Sequence, residues 1–147
     1  MKLLVLNGPN LNMLGYANGS PAGEMTLTEM DKALAAYGAE AHEDLELVFY
    51  QTNHEGQLID LVQKAELQYD GLIFNPSALC HYSVALRDAV ERAELPVVEV
   101  HLQDLSQQEE FRRHSIIGEV CAAQFMGKRL DSYKEALDFL VDLATKL

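Results

Sequence analysis

Short apolar runs that alternate with helical patterns are the feature that most constrains the fold of this chain. Runs of this length without polar interruption are typical of strands buried on both faces, and such strands joined by helices form parallel sheets. We therefore predict an α/β fold, a flavodoxin-like, doubly wound, five-stranded parallel sheet with helices on both faces. The strands are expected at Leu3–Leu6, Leu45–Tyr50, Gly71–Phe74, Val97–Val100 and Val120–Met126.

Two helix starts carry a capping-box signal, in which a hydroxyl and a carboxylate three residues later exchange hydrogen bonds with the backbone. Thr26 and Glu29 precede one helical stripe, and Ser132 and Glu135 precede the last. We expect a helix to begin at each box.

Composition limits the class of protein. A chain of 147 residues that is 48% hydrophobic can build one core, so residues 1–147 are interpreted as a single domain. The sequence has no apolar run of membrane-spanning length and no signal peptide, and Cys80 and Cys121 match no zinc or redox spacing. These features favour a reduced, cytoplasmic protein. A net charge of −12 argues against nucleic-acid binding.

Polar residues follow four of the predicted strands, at Asn7–Asn10, Thr52–Glu55, Asn75–Ser77 and His101. Each could be turn or cap chemistry by itself. Ligands of open parallel sheets bind outside the carboxyl ends of the strands, however, and four polar strand ends would meet there. The pattern predicts a shared small-molecule pocket.

His101 is the strongest single candidate in that pocket, because Glu99 lies two residues earlier on the same side of a strand. A carboxylate fixes the tautomer of an imidazole and suits it to general acid catalysis. The alternative is a core histidine satisfied by a backbone carbonyl. His81 is expected to open the third helix, where backbone N–H groups favour an anion or oxygen-rich ligand.

Five sequence blocks carry a family resemblance: NGPNLNMLG from Asn7, TNHEG from Thr52, NPSALCHYSVALRDA from Asn75, EVH from Glu99 and FRRHS from Phe111. Together they resemble the type II 3-dehydroquinate dehydratases over nearly the whole chain. The resemblance implies a lyase of the shikimate pathway of aromatic amino acid biosynthesis, which eliminates water in the anti sense from 3-dehydroquinate to give 3-dehydroshikimate. It also implies no metal or organic cofactor, and a homo-oligomer built from trimers, a dodecamer.

The resemblance assigns roles to individual residues. His101 is the acid that protonates the departing hydroxyl, Glu99 holds it, and Asn10 stabilises the enolate. The remaining assignments are contacts to the substrate, with Asp88 reaching in from a neighbouring subunit: Asn75 and the backbone amides of Leu102 and Gln103 for the carboxylate, and His81, Asp88 and Arg112 for the ring hydroxyls.

One segment departs from the family pattern, Gly15 to Leu27, of which residues 15–26 are called the lid loop. The resemblance places the proton-abstracting Tyr at Ala22 and its activating Arg at Ala17. Three side chains are candidates to replace the base: Tyr16, Glu24 and Tyr82.

Further departures replace a usual Gly by Ser77, a usual Ser-Asn by Gln103-Asp104 and a second Arg by Gln108. We therefore expect either weak 3-dehydroquinate dehydratase activity, a diverged dehydratase acting on another cyclic polyhydroxylated substrate, or a non-catalytic member. A receiver domain of the same fold is disfavoured, since the first strand lacks the acidic pair that binds magnesium.

Overall fold

A computed structural model describes residues 1–146 and contains one parallel sheet. The strand order is β2-β1-β3-β4-β5, which confirms the predicted flavodoxin-like order. The strands are β1 (Lys2–Asn7), β2 (Glu46–Gln51), β3 (Gly71–Asn75), β4 (Val97–His101) and β5 (Ala123–Met126).

Four α-helices cover both faces of the sheet: α1 (Leu27–Ala41), α2 (Glu55–Ala65), α3 (Val84–Arg92) and α4 (Leu130–Thr145). The loops between them contain short 3-10 helices. Within residues 1–146, none of these helices combines the length and apolar character needed to cross a membrane.

Strand pleating divides the core into two layers. Leu4 and Leu6 of β1 point toward α2 and α3, whereas Leu3 and Val5 point toward α1 and α4. All four side chains are at most 1% exposed, as expected for a central strand with a continuous apolar sequence. The two layers explain why the apolar runs showed no polar alternation.

The capping box at Thr26 and Glu29 is confirmed, and both of its hydrogen bonds are present at the start of α1. The box predicted at Ser132 and Glu135 is wrong. Helix α4 begins at Leu130, so Ser132 lies inside its first turn, where its hydroxyl accepts a bond from the Lys128 N–H at 3.0 Å.

The predicted start of the fifth strand is also wrong. Residues Gly118–Val120 form a 3-10 helix, closed by bonds from Val120 and Cys121 to the preceding turn, and β5 begins only at Ala123. Val120 and Cys121 pack against the core from this turn. Their apolar character therefore reflects burial in a turn and not strand pairing.

The loops after β1 and β3 meet at the carboxyl edge of the sheet. The N–H of Gly8 donates to the Asn75 carbonyl at 2.8 Å. A side chain at Gly8 would place its Cβ 2.9 Å from the Pro76 carbonyl oxygen, closer than real Cβ atoms come. Glycine at this position therefore brings the two polar strand ends together.

Candidate active site

A cavity of about 160 Å³ lies at the carboxyl ends of β3 and β4. The site residues predicted to surround a ligand are largely found here. Those that line the cavity are Asn75, His81, His101, Leu102, Gln103 and Arg112. A cavity therefore lies at the strand ends where the polar residues predicted a pocket.

His101 and Glu99 lie on the same side of β4, with the carboxylate behind the imidazole and fully buried. His101 Nε2 is 3.2 Å from Glu99 Oε2, yet the pair is not aligned as a hydrogen bond. Among residues 1–146, Nε2 is the buried side-chain polar atom without a hydrogen-bond partner. The two groups are therefore close enough for an ion pair, but His101 Nε2 forms no aligned hydrogen bond.

Two side chains that sequence reasoning missed hold the Glu99 carboxylate. The Ser115 hydroxyl donates to Oε2 at 2.6 Å, and the Gln124 amide donates to Oε1. Gly118 permits this arrangement, because a Cβ there would fall 1.9 Å from Gln124 Nε2. Gln124 could have been noticed as the lone polar residue within the apolar run 120–126.

These contacts keep Glu99 charged. Burial alone would raise the pKa of Glu99, but the nearby His101, Ser115 and Gln124 side chains outweigh it, so the pKa lies below its ordinary value. A buried carboxylate of this kind can stabilise a protonated imidazole and orient its ring.

A second buried network fixes Asn75. The Asn75 Oδ1 accepts from the Ser77 N–H at 3.0 Å, and Nδ2 donates to the Tyr133 hydroxyl at 3.0 Å. Tyr133 donates in turn to Asn7 Oδ1 at 2.5 Å. One N–H of Asn75 is left for a ligand. Sequence reasoning treated Tyr133 only as a core residue of α4.

His81 occupies a different position from the one predicted. It ends the 3-10 helix Ser77–His81, whereas α3 begins at Val84 and is capped by the Ser83 hydroxyl. The extra turn, which Tyr82 closes through a bond to Leu79, separates His81 from the helix. Its Nδ1 lies 2.9 Å from the His114 carbonyl oxygen, which only accepts, so Nδ1 carries the proton.

The remaining predicted residues lie at or beyond the cavity edge. Asn10 is exposed in a left-handed conformation beside cavity-lining Leu11, and its N–H donates to Asn53 Oδ1 at 2.9 Å. Arg112 lines the cavity and lies 3.3 Å from a Glu109 carboxylate oxygen. Asp88 is exposed on α3, outside the cavity of its own chain. Its contact to a neighbouring subunit's substrate stays a prediction.

The lid loop contributes no side chain to the cavity. Ala17 and Ala22 are exposed, and Gly15, Gly19 and Gly23 adopt positive φ angles. Of the three replacement bases considered from the sequence, Tyr16 is 71% and Tyr82 67% exposed, and neither they nor Glu24 line the cavity.

Glu24 is engaged elsewhere. Its carboxylate forms an ion pair with Arg129, which precedes α4, and accepts a hydrogen bond from the Gly15 N–H at 3.2 Å. Desolvation would raise the pKa of Glu24, but the bonds from Gly15, Ser20 and Arg129 together lower it. Glu24 is therefore an anchor of the lid loop and a poor proton acceptor.

The sheet order, the buried imidazole–carboxylate pair and the strand-end cavity define the class: a flavodoxin-like α/β protein with a buried His–Glu pair beside a cavity. A family model described as "Dehydroquinase class II" matches residues 1–141. The chain belongs to the type II dehydroquinase family.

Named relatives and a solved structure agree with that assignment. The chain is 49% identical to a 3-dehydroquinate dehydratase of Bacillus pumilus (94% of this chain, 92% of the relative) and 46% identical to that of Bacillus subtilis, with the same coverage. A crystal structure of a type II dehydroquinase from Butyrivibrio crossotus superposes with a TM-score of 0.89 at 38% identity, covering 95% of this chain and 97% of that one.

Proposed function

We propose that this protein is a hydro-lyase of the 3-dehydroquinate dehydratase type. Its site contains a proton donor for the departing hydroxyl, but it abstracts the substrate proton only weakly. The reaction removes a proton from the carbon beside the ketone and expels a hydroxide, which leaves as water once protonated. The observation that carries the proposal is the His101–Glu99 pair at a cavity lined by Asn75 and by the segment Leu102–Gln103.

The residues at the cavity have separate proposed roles in proton donation and in substrate binding. His101, with Glu99 behind it, donates the proton to the departing hydroxyl, and Asn10 stabilises the enolate that precedes this step. Asn75 offers its remaining N–H, and Leu102 and Gln103 their backbone amides, to the substrate carboxylate. The ring hydroxyls of the substrate are contacted by His81, Arg112 and a neighbouring subunit's Asp88.

Proton abstraction lacks an evident base. No tyrosine or carboxylate of residues 1–146 lines the cavity within one chain. A general base contributes about 10²–10⁴ in rate. We therefore expect 3-dehydroquinate turnover to fall below that of a member with the lid Tyr and Arg by a factor of this size.

A second candidate is a dehydratase of another, less anionic, cyclic polyhydroxylated substrate. The favouring observation is the charge around the cavity. Arg112 is its one lining cation among the described residues and is paired with Glu109, while Gln108 lines the cavity where the resemblance places an Arg. A weaker positive potential disfavours a carboxylate substrate. A member that binds without catalysis is the third outcome.

One assay separates these candidates. Purified protein is mixed with 3-dehydroquinate, and the conjugated enone product is followed by ultraviolet absorbance. We expect slow turnover that rises about 10²–10⁴-fold in the Ala17→Arg, Ala22→Tyr double variant, with either single variant giving less. Absent turnover that the double variant rescues supports a cavity intact for this substrate. If the double variant is also inactive, the dehydroquinase proposal fails and another substrate must be sought.

We also propose a trimer-based homo-oligomer, a dodecamer. The support is Asp88, which is exposed on α3 and does not line the cavity of its own chain. Sedimentation velocity should give a single species near twelve times the 16.4 kDa chain mass. A monomer would contradict the assembly and the shared-site role of Asp88.

A further inference from the structure

Three side chains of the types that bind metal ions meet at the cavity, and the proposed reaction uses only two of them. They are Cys80 of the 3-10 helix after β3 and Glu99 and His101 of β4. Their ligand atoms all lie within 4.8 Å of one another, and all three residues are buried. The third member, Cys80, has no role in the dehydratase proposal.

The unused ring nitrogen points to a ligand at this place. His101 Nε2 is buried without a hydrogen-bond partner, although its residue is only 6% exposed. It lies 3.2 Å from Glu99 Oε2 in an orientation that does not form a hydrogen bond. Buried polar atoms are nearly always satisfied, so an orphaned one next to a thiol and a carboxylate requires an explanation.

The spacing between His101 and Glu99 is compatible with a shared ion. With metal–nitrogen and metal–oxygen distances of about 2.0–2.1 Å, two ligands of a tetrahedral ion stand about 3.3 Å apart. The observed 3.2 Å between Nε2 and Oε2 matches that separation. The corresponding sulfur distance is about 3.5 Å, and Cys80 Sγ lies within 4.8 Å of the other two ligand atoms.

We propose that Cys80, Glu99 and His101 form a Zn²⁺ site. Sulfur, imidazole nitrogen and carboxylate oxygen are the donor types that zinc prefers. A coordinating thiol is deprotonated, so the thiolate and the carboxylate together balance the charge of the ion in a buried setting. Three protein ligands leave one tetrahedral position for water.

Occupancy has a consequence for catalysis. The ion would occupy the nitrogen that faces Glu99 and insert itself between the acid and the carboxylate that orients it. Zn²⁺ therefore acts on this protein as an inhibitor and not as a cofactor, because the elimination itself needs the His101–Glu99 pair free.

Cobalt spectroscopy tests the site without depending on turnover. Metal-free protein titrated with Co²⁺ should develop a thiolate-to-cobalt charge-transfer band and strong visible bands of a four-coordinate ion, both displaced by Zn²⁺. Cys80→Ser should abolish the charge-transfer band and weaken Zn²⁺ binding by at least about 100-fold, more than loss of an indirect support would.

Cys121→Ser is the matched control. Cys121 is the other thiol and is bonded to the Ile117 carbonyl oxygen outside the cluster, so its replacement should keep the band and the affinity. His101→Gln retains both thiols and should keep sulfur absorption while weakening binding by at least about 100-fold, as expected for loss of a direct ligand. Wild-type protein without a charge-transfer band, or a band lost in Cys121→Ser and kept in Cys80→Ser, overturns the proposal.

Inhibition of turnover by Zn²⁺ is a second test, independent of the cobalt spectra. If the chain turns over 3-dehydroquinate, saturating Zn²⁺ should suppress the rate in wild type and not in Cys80→Ser. If neither the wild type nor the Ala17→Arg, Ala22→Tyr double variant turns over 3-dehydroquinate, the dehydratase proposal fails while the cobalt spectra still decide the metal site.

Discussion

The cavity floor, formed by the carboxyl ends of β1, β3 and β4 and the residues packed on them, and the lid loop of residues 15–26 are held in place by different means. In the floor, the buried Glu99 carboxylate accepts hydrogen bonds from Ser115 and Gln124, and Asn75 is fixed through Tyr133 to Asn7 at buried positions. The lid loop is mostly exposed, turns at three glycines with positive φ and is anchored through Glu24.

The contrast shows where the fold tolerates sequence change. Changing a floor residue leaves a buried polar partner unsatisfied, which costs stability. Ala17 and Ala22 are exposed and line no part of the cavity, so changes at these two positions have little structural cost. Under the proposed function, the lid loop can therefore alter the rate while the floor maintains the fold.

The largest expected effect is on catalysis in the floor. In the Ala17→Arg, Ala22→Tyr background, His101→Ala should lower kcat by about 10²–10⁴ because it removes the proton donor. Tyr82→Phe is the control, since this exposed side chain does not line the cavity and should leave kcat unchanged. Equal losses in the two variants would place the acid elsewhere. The assay is the enone absorbance described above.

The next effect is on the stability of the floor. Tyr133→Phe leaves Asn7 Oδ1 and Asn75 Nδ2 without their partner at buried positions, and should lower the free energy of unfolding by about 1–3 kcal/mol. Tyr37→Phe is matched, because that hydroxyl bonds a half-exposed Asp138 and its loss should cost less than about 1 kcal/mol. Urea unfolding monitored by circular dichroism measures both. If Tyr37→Phe lowers the free energy of unfolding as much as Tyr133→Phe does, the buried hydrogen bonds of the floor are not the stronger contributors to stability, and the comparison fails.

The sequence predicted the floor better than the details around it. Five predicted strands in one small domain favoured the flavodoxin-like order that the sheet has, and the two-residue spacing of Glu99 and His101 on β4 predicted their shared side. Partners brought from distant segments were missed, because Ser115, Gln124 and Tyr133 meet the floor only through tertiary packing. The helix starts predicted at His81 and Ser132 failed for a local reason: short 3-10 turns and a backbone start without a side-chain cap leave no clear signal.

A smaller effect should appear in the lid. Glu24→Gln removes the ion pair to Arg129 and should lower amide protection across residues 15–26 by about 2- to 5-fold at pH 7, because the Arg129 side chain is 43% exposed and solvent weakens the pair, although the Glu24 side chain is only 8% exposed. Hydrogen exchange with mass spectrometry measures this. The pKa of Glu24 is depressed in the fold, so its stabilisation is present above the ordinary carboxyl pKa and is lost as pH falls through the lowered value. Wild type and variant should therefore converge in acid.

Asp142→Asn serves as the lid control. It breaks an ion pair with Lys146 at the far end of α4 and should leave protection of residues 15–26 unchanged. If Glu24→Gln has no effect at pH 7, or its effect persists at low pH, the lid is held by something other than this charge.

The smallest effect tests strain in the floor itself. Ser77 has φ of 55°, a left-handed conformation that costs an L-residue about 1–2 kcal/mol and costs glycine little. Glycine loses about 0.5–1 kcal/mol more chain entropy on folding, so Ser77→Gly should raise the free energy of unfolding by about 0.5–1 kcal/mol. The N–H bond to Asn75 Oδ1 is retained. Ser77→Ala keeps the Cβ and should give no gain in the same urea titration. If alanine stabilises as much as glycine, the hydroxyl and not the backbone is the source of strain, and the floor is relaxed where it meets the cavity.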